Sequence, residues 1–203
     1  MLLHEIIERE GYDIILASQS PRRRDLMRDC GIPFRTASFD VEEVYPSETS
    51  AAEVAEYLSK LKSEGYPDVL GEREILITAD TVVLLGDQIL GKPKGEDGAR
   101  KMLSELSGSE HQVVTGVTIR SHSKSLSFST VTSVKFATLS PEQIEYYVTR
   151  YSPLDKAGSY GIQEWIGYVG IEGIEGSFYN VMGLPIQRLY SELTTFLENN
   201  LGK

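Results

Sequence analysis

The sequence predicts a mixed-sheet α/β fold, and three local patterns carry that expectation. A strand, a tight turn and a helix follow one another within residues 13–31. A long β-rich run at 75–85 doubles back at Gly86-Asp87 into 88–90. Further β-rich segments at 113–139 are followed by helical periodicity. Strand-helix units favour parallel pairing and hairpins favour antiparallel pairing, so both belong in one sheet.

Taken in order, Asp13-Ile14-Ile15-Leu16-Ala17 is a compact apolar run, and Ser20-Pro21 reads as an N-cap followed by proline at the first helical position. Leu26, Met27 and Cys30 form the buried stripe of that helix, and Gly31 suits a left-handed stop. A second strand is expected near 34–39. Residues 50–64 place Val54, Tyr57, Leu58 and Leu61 on one helical face, and Gly65, Pro67 and Gly71 mark the loop after it. Ala99, Met102, Leu103 and Leu106 define another amphipathic helix, closed by Gly108. Strands are expected at 113–120, 125–131 and 134–139. Ser140-Pro141-Glu142-Gln143 opens a short helix, and a last one runs through Leu189, Leu193, Phe196 and Leu197.

Composition narrows the function. The chain has 203 residues, 20 Lys and Arg against 30 Asp and Glu, and a formal charge of −10, which argues against broad attachment to nucleic acid or an anionic membrane. Basic groups that bind a polyanion must therefore be concentrated locally. The single cysteine, Cys30, excludes an intramolecular disulfide and fits a reducing, cytoplasmic setting. The first residues lack a basic start and a sustained apolar stretch, so no signal peptide is expected, and no run approaches the roughly 20 apolar residues that span a bilayer.

Two local conflicts point to chemistry. Arg22, Arg23 and Arg24 crowd the first turn of a helix, where the macrodipole favours anions and each exposed cation costs roughly 0.3–1 kcal/mol. A bound phosphate would turn both the free N–H groups and the arginines into favourable partners; a solvated arginine-rich helix end is the plain alternative. Arg22 and Arg23, nearest the turn, are the better ligand candidates. Asp80 interrupts an apolar strand, where a carboxylate needs a partner, a metal or an opening into a cleft. Lys92, beyond the hairpin, can reach a phosphate near the strand end, while Glu43 and Lys62 offer an acid and a cation that pattern alone would not single out. His111 reads as a hydrogen-bonding residue rather than a general base. Tyr160, Trp165, Tyr168 and Tyr179 offer either packing or a stacking surface. HExxH and GxxxxGK[ST] motifs are missing.

Three separated strings, LASQSPRRRDLM at 16–27, ITADTVVLLGDQILGKP at 77–93 and DKAGSYGIQ at 155–163, together resemble the Maf family of nucleoside triphosphate pyrophosphatases. LSGSEHQVVTGV at 106–117 and IEGSFYNVMGLP at 174–185 extend the likeness over nearly the whole chain beyond an amino-terminal extension, residues 1–11, giving one catalytic domain. The resemblance implies an elongated sheet flanked by helices, with two lobes around a central cleft, as in inosine triphosphatase-like proteins. It implies hydrolysis between the α- and β-phosphates, a homodimer, and a divalent cation, Mg²⁺ or Mn²⁺. Carried over position by position, it places Asp80 as proton acceptor for the attacking water. Ser18, Arg22, Arg23, Lys62 and Lys92 then surround the phosphates, and Glu43 joins Asp80 around the metal. Arg22, Thr81 and Gln163 match the specificity positions of the branch acting on dTTP and UTP; a glutamine amide can pair with the carbonyl and N–H edge of thymine or uracil. Glu164 departs from the family pattern. A purine or 7-methyl-GTP pyrophosphatase, and a nucleotide-sensing regulator of septum formation, are the alternative readings.

Overall fold

A computed structural model describes residues 1–199. Its centre is a seven-stranded mixed sheet of order β2-β1-β3-β5-β6-β7, with β4 also paired to β3. The strands are β1 (Asp13–Ala17), β2 (Arg35–Ala37), β3 (Glu74–Leu85), β4 (Gln88–Leu90), β5 (Glu110–Arg120), β6 (Ser125–Phe136) and β7 (Ile171–Glu175). β1 pairs in parallel with β2 and β3, and every other pairing is antiparallel. Both pairing modes foreseen from the local patterns are therefore present.

Eight α-helices flank the sheet among the described residues: α1 (Leu3–Glu10), α2 (Pro21–Asp29), α3 (Ala51–Glu64), α4 (Gly95–Leu106), α5 (Pro141–Tyr151), α6 (Trp165–Gly170), α7 (Phe178–Met182) and α8 (Ile186–Glu198). Local rules explain their ends. Pro21 occupies the first turn of α2, and Gly31 just beyond it has φ 71°, as its left-handed role requires. Ser140 and Gln143 form a reciprocal capping box on α5.

The long strands β3, β5 and β6 carry two main cores. One holds α1, α2 and α8 against Ile75, Ile77, Val117 and Ile119, and the other holds α4 and α5 against Val83, Val113 and Val134. These are the two lobes. On the opposite face α3 covers Val82, Leu84 and Val114. It lies unusually close to the sheet at Gly116, where a Cβ would stand 2.3 Å from the backbone carbon and oxygen of Ala55. Only glycine permits that approach.

The structure corrects three sequence expectations. The second strand is limited to 35–37. Residues 125–136 form one strand rather than two, because the polar Thr132 is buried and its hydroxyl is satisfied by Ser177 and Asn180. Tyr57 is exposed, and the buried face of α3 is instead Val54, Ala55, Leu58 and Ser59. The amino-terminal segment is α1, an amphipathic helix that buries Leu3, Ile6 and Ile7 in the first core. Among the described residues no helix is long and apolar enough to cross a membrane.

Candidate active site

β3 has an unusual set of neighbours. Its first residues pair with β1 up to Ile77, and its last pair with β4 from Val83, so 78–82 have no strand partner on that side. A cleft of about 710 Å³ opens at this gap, beside the carboxyl end of β1, where open α/β sheets characteristically receive ligands. Ser18, Arg22, Arg23, Glu43, Lys62, Asp80, Thr81, Lys92 and Gln163 all line it. Every site residue expected from the sequence thus comes to one place.

Asp80 and Thr81 project to opposite faces of β3 because strand side chains alternate. Asp80 faces α3 and is 8% exposed. Its Oδ1 accepts from Lys62 Nζ at 2.5 Å, and the same ammonium lies 2.9 Å from Glu43. Burial pushes the Asp80 carboxyl above its ordinary range, against the pull of Lys62 and Arg23. For Glu43 burial also pushes upward, but the hydrogen bond from Lys62 and the charges of Lys62, Lys92 and Arg23 carry it below the ordinary range. The two carboxylates therefore differ in proton affinity while sharing one lysine. Lys92 is exposed at the rim and has no ion-pair partner among the described residues.

On the other face Arg23 is held by neutral oxygens. Its Nε donates to the Gly183 carbonyl at 2.7 Å, Nη1 to the Ala79 carbonyl at 2.9 Å, and Nη2 to Thr81 Oγ1 at 3.0 Å. A longer bond, 3.4 Å, joins Nη1 to Ser18 Oγ. Burial lowers its proton affinity, which Asp80 partly restores. The Ala79 carbonyl is one of the groups exposed by the gap in the sheet, so Arg23 also satisfies an orphan backbone acceptor. Thr81 Oγ1 lies 3.0 Å from Thr115 Oγ1, which bonds the Asn180 carbonyl at 3.1 Å. The Thr81 hydroxyl, matched to a specificity position in the sequence, is thus engaged with protein groups. Arg22 points across the cleft to Asp155 at 3.1 Å, whereas Arg24 lines a separate shallow groove with His4 and Arg28. Arg22 and Arg23 therefore line the cleft and Arg24 does not.

The chain matches the family described as Maf-like protein over residues 13–196. It belongs to the Maf family. Among its curated relatives, a Bacteroides thetaiotaomicron protein is 51% identical over 185 residues, covering 91% of this chain and 96% of that protein. A Porphyromonas gingivalis relative is 50% identical over 192 residues, covering 93% and 96%. Both are named dTTP/UTP pyrophosphatase. In fold, the Maf chain is similar to the solved Staphylococcus aureus Ham1 protein, with a TM-score of 0.51 at 18% identity over 91% of this chain and 99% of that one.

The Maf cleft also contains groups that the sequence reading did not select. Asp155 and Lys156 line it, and Lys156 Nζ lies 2.8 Å from Asp155 and 3.2 Å from Glu164. Their signal was their position inside the quoted string at 155–163, but nothing local shows which carboxylates a lysine will meet. Glu164 itself does not line the cleft, being turned to Lys156 and the Tyr147 hydroxyl. His111 is buried, and its Nε2 lies 2.7 Å from the Tyr160 hydroxyl, the structural role expected of it. Tyr160 is buried and Tyr168 is 83% exposed, so these aromatics do not form a common stacking surface.

Proposed function

We propose that this chain hydrolyses dTTP and UTP to the nucleoside monophosphate and pyrophosphate. One observation carries the reading: a buried carboxylate, Asp80, stands in a cleft ringed by Arg22, Arg23, Lys62 and Lys92, in a chain half identical to proteins named for that activity. The names of these relatives favour pyrimidines over the purine and 7-methyl-GTP alternatives. The side-chain oxygen of Gln163 is buried without a hydrogen-bond partner, an acceptor left for a base N–H.

In this reading, water attacks phosphorus, the bridge between the α- and β-phosphates breaks, and pyrophosphate leaves. Asp80 takes the proton from water; burial raises its proton affinity, which suits that task. Lys62 holds Asp80 and Glu43 in register. Arg22, Lys92 and the amides opening α2 meet the developing phosphate charge. Four of the five N–H groups of Arg23 already point at protein oxygens, so Arg23 contributes mainly fixed charge.

Asp80 and Glu43 also fit a divalent cation. Mg²⁺-type sites commonly use one or two carboxylates plus substrate phosphates, and no group of three or more His, Cys, Asp or Glu suited to a metal occurs among the described residues. Such a cation, Mg²⁺ or Mn²⁺, supplies charge neutralisation to the triphosphate when bound. A homodimer in a reducing cytoplasm completes the proposal, with the lone Cys30 supporting the compartment.

The test is product analysis with dTTP, UTP, dGTP and 7-methyl-GTP, with Mg²⁺ or Mn²⁺ and with chelator. Equimolar monophosphate and pyrophosphate from dTTP and UTP, lost with chelator and reduced about 10²–10⁴-fold in Asp80→Asn, are expected. Release of orthophosphate, or faster turnover of either purine substrate, overturns the assignment. Binding without turnover by folded protein returns the regulator reading.

A further inference from the structure

The backbone around Gln163 is a four-residue turn. The Glu164 N–H donates to the Gly161 carbonyl at 3.0 Å, which puts Gln163 third in the turn. Both ends converge on one hydroxyl. The Gly161 N–H donates to Tyr147 Oη at 3.0 Å, and that hydroxyl donates to the carboxylate of Glu164. Tyr147 is fully buried in α5 and stacked on Tyr151 with centroids 5.1 Å apart, so its hydroxyl occupies a fixed point.

The space inside the turn is equally restricted. A Cβ on Gly161 would come within 2.9 Å of Glu164 Cδ and 3.0 Å of Gln163 Nε2. The Gln163 and Glu164 side chains therefore close over Gly161. Lys156, almost wholly buried, neutralises Glu164 and extends the connection through Asp155 to Arg22 across the cleft. Within this arrangement Gln163 lines the cleft and its side-chain oxygen lies buried without a partner.

We propose that Tyr147, Glu164 and Lys156 are specificity-determining positioning residues, which clamp the 161–164 turn so that the Gln163 amide is held in register for the base edge. The inference rests on the pyrimidine-triphosphate reading and deepens it. None of the three is required to touch the base; they act through Gln163. A neutral amide on a loose loop would pair with purine and pyrimidine edges alike, whereas a fixed one discriminates because the wrong edge leaves its groups unpaired. The Glu164 departure noted in the sequence becomes the acidic member of the clamp.

The experiment measures calorimetric affinities for the α,β-imido analogues of dTTP and dGTP, so that selectivity is read without turnover. Wild type should prefer the dTTP analogue. Glu164→Gln and Tyr147→Phe should each lower that preference about tenfold, the scale of one hydrogen bond. Combining Glu164→Gln with Gln163→Ala should lower it no further than Gln163→Ala alone, since the two act as one unit. Glu164→Gln keeps shape and covers the case in which Tyr147→Phe fails to fold, as monitored by circular dichroism. A selective wild type whose folded Glu164→Gln variant keeps the full preference, or additive losses in the double variant, overturns the clamp alone. A wild type that binds the two analogues equally, or neither, overturns the pyrimidine reading and the clamp with it.

Discussion

Gly116→Ala tests how the active-site floor is assembled. The new methyl would lie 2.3 Å from the Ala55 carbonyl carbon and oxygen and 2.4 Å from the Glu56 nitrogen. All three are backbone atoms in a helix, so no rotamer change relieves the clash. Restoring contact near 3.4 Å requires α3 to lift by about 1 Å. That movement breaks two flanking bonds, Ser59 Oγ to Thr118 Oγ1 at 2.8 Å and Thr78 Oγ1 to the Ser59 carbonyl at 2.7 Å. Overpacking of roughly 1–3 kcal/mol plus about 1 kcal/mol for each bond gives a destabilisation of about 3–5 kcal/mol. Lys62 rides on the last turn of α3 and bonds Asp80, so a displacement of about 1 Å should also lower kcat/KM on the order of 10²-fold. Urea unfolding and dTTP turnover, measured at a temperature where both proteins are folded, read the two effects. Gly173→Ala is the control, since nothing lies within 4 Å of its Cβ and it sits on exposed β7. If Gly116→Ala stays within about 0.5 kcal/mol of wild type, the ordinary range for surface substitutions, and keeps full kcat/KM, the close-approach argument fails.

Other expectations concern residues away from the reacting phosphates. Burial lowers the proton affinity of His111 to a pKa of about 4. Below pH 6.5 the unfolded chain takes a proton that the native state refuses until about pH 4, so stability present above pH 6.5 declines through that window by up to about 3 kcal/mol; comparing urea midpoints of wild type and His111→Leu from pH 7 to 4.5 should show the flatter profile in the variant, and parallel profiles would remove the assignment. Thr115→Val removes the support behind Thr81 and Arg23, and should lower kcat/KM about tenfold, the scale of one hydrogen bond, whereas Thr115→Ser should restore most of it; equal losses in both would show that the hydroxyl is not the relevant group. Ile6→Ala in α1 should destabilise by roughly 2–5 kcal/mol with kcat unchanged where folded, because α1 packs in the core and does not line the cleft. A lowered kcat in that folded variant would give α1 a role beyond packing.

Elements with local signatures were legible in the sequence. The β1 run, Pro21, the Gly86-Asp87 turn and the Ser140/Gln143 capping box each carry their own instructions within a few residues. The sequence predicts separate strands at 125–131 and 134–139 where one strand runs through 125–136, and the groups that satisfy the buried Thr132 lie about 45 residues away, at Ser177 and Asn180. Asp80 announced itself by breaking an apolar run, but Glu43 and Lys62 carry no local pattern and emerged only through resemblance. The Tyr147 clamp was invisible for another reason. A tyrosine on an amphipathic helix is ordinary, and its meaning depends on a turn whose ends return to the same point.

The interrupted pairing of β3 also bears on how the chain acquires its site. β3, β5 and β6 are successive antiparallel partners in a meander; β4 meets β3 across a two-residue turn, a four-residue loop joins β5 to β6, and the longer 86–109 connection, which holds β4 and α4, brings Leu84 opposite Gln112 at a separation of 28 residues. β1 must instead find β3 across a separation of 61 residues, as in Ile14 opposite Ile75. Loop-closure entropy makes that parallel docking the slower event. The cleft is therefore the seam between the meander and the β1-α2 unit, and Arg23 of α2 meets the Ala79 carbonyl and the Thr81 hydroxyl of β3 only when that seam closes.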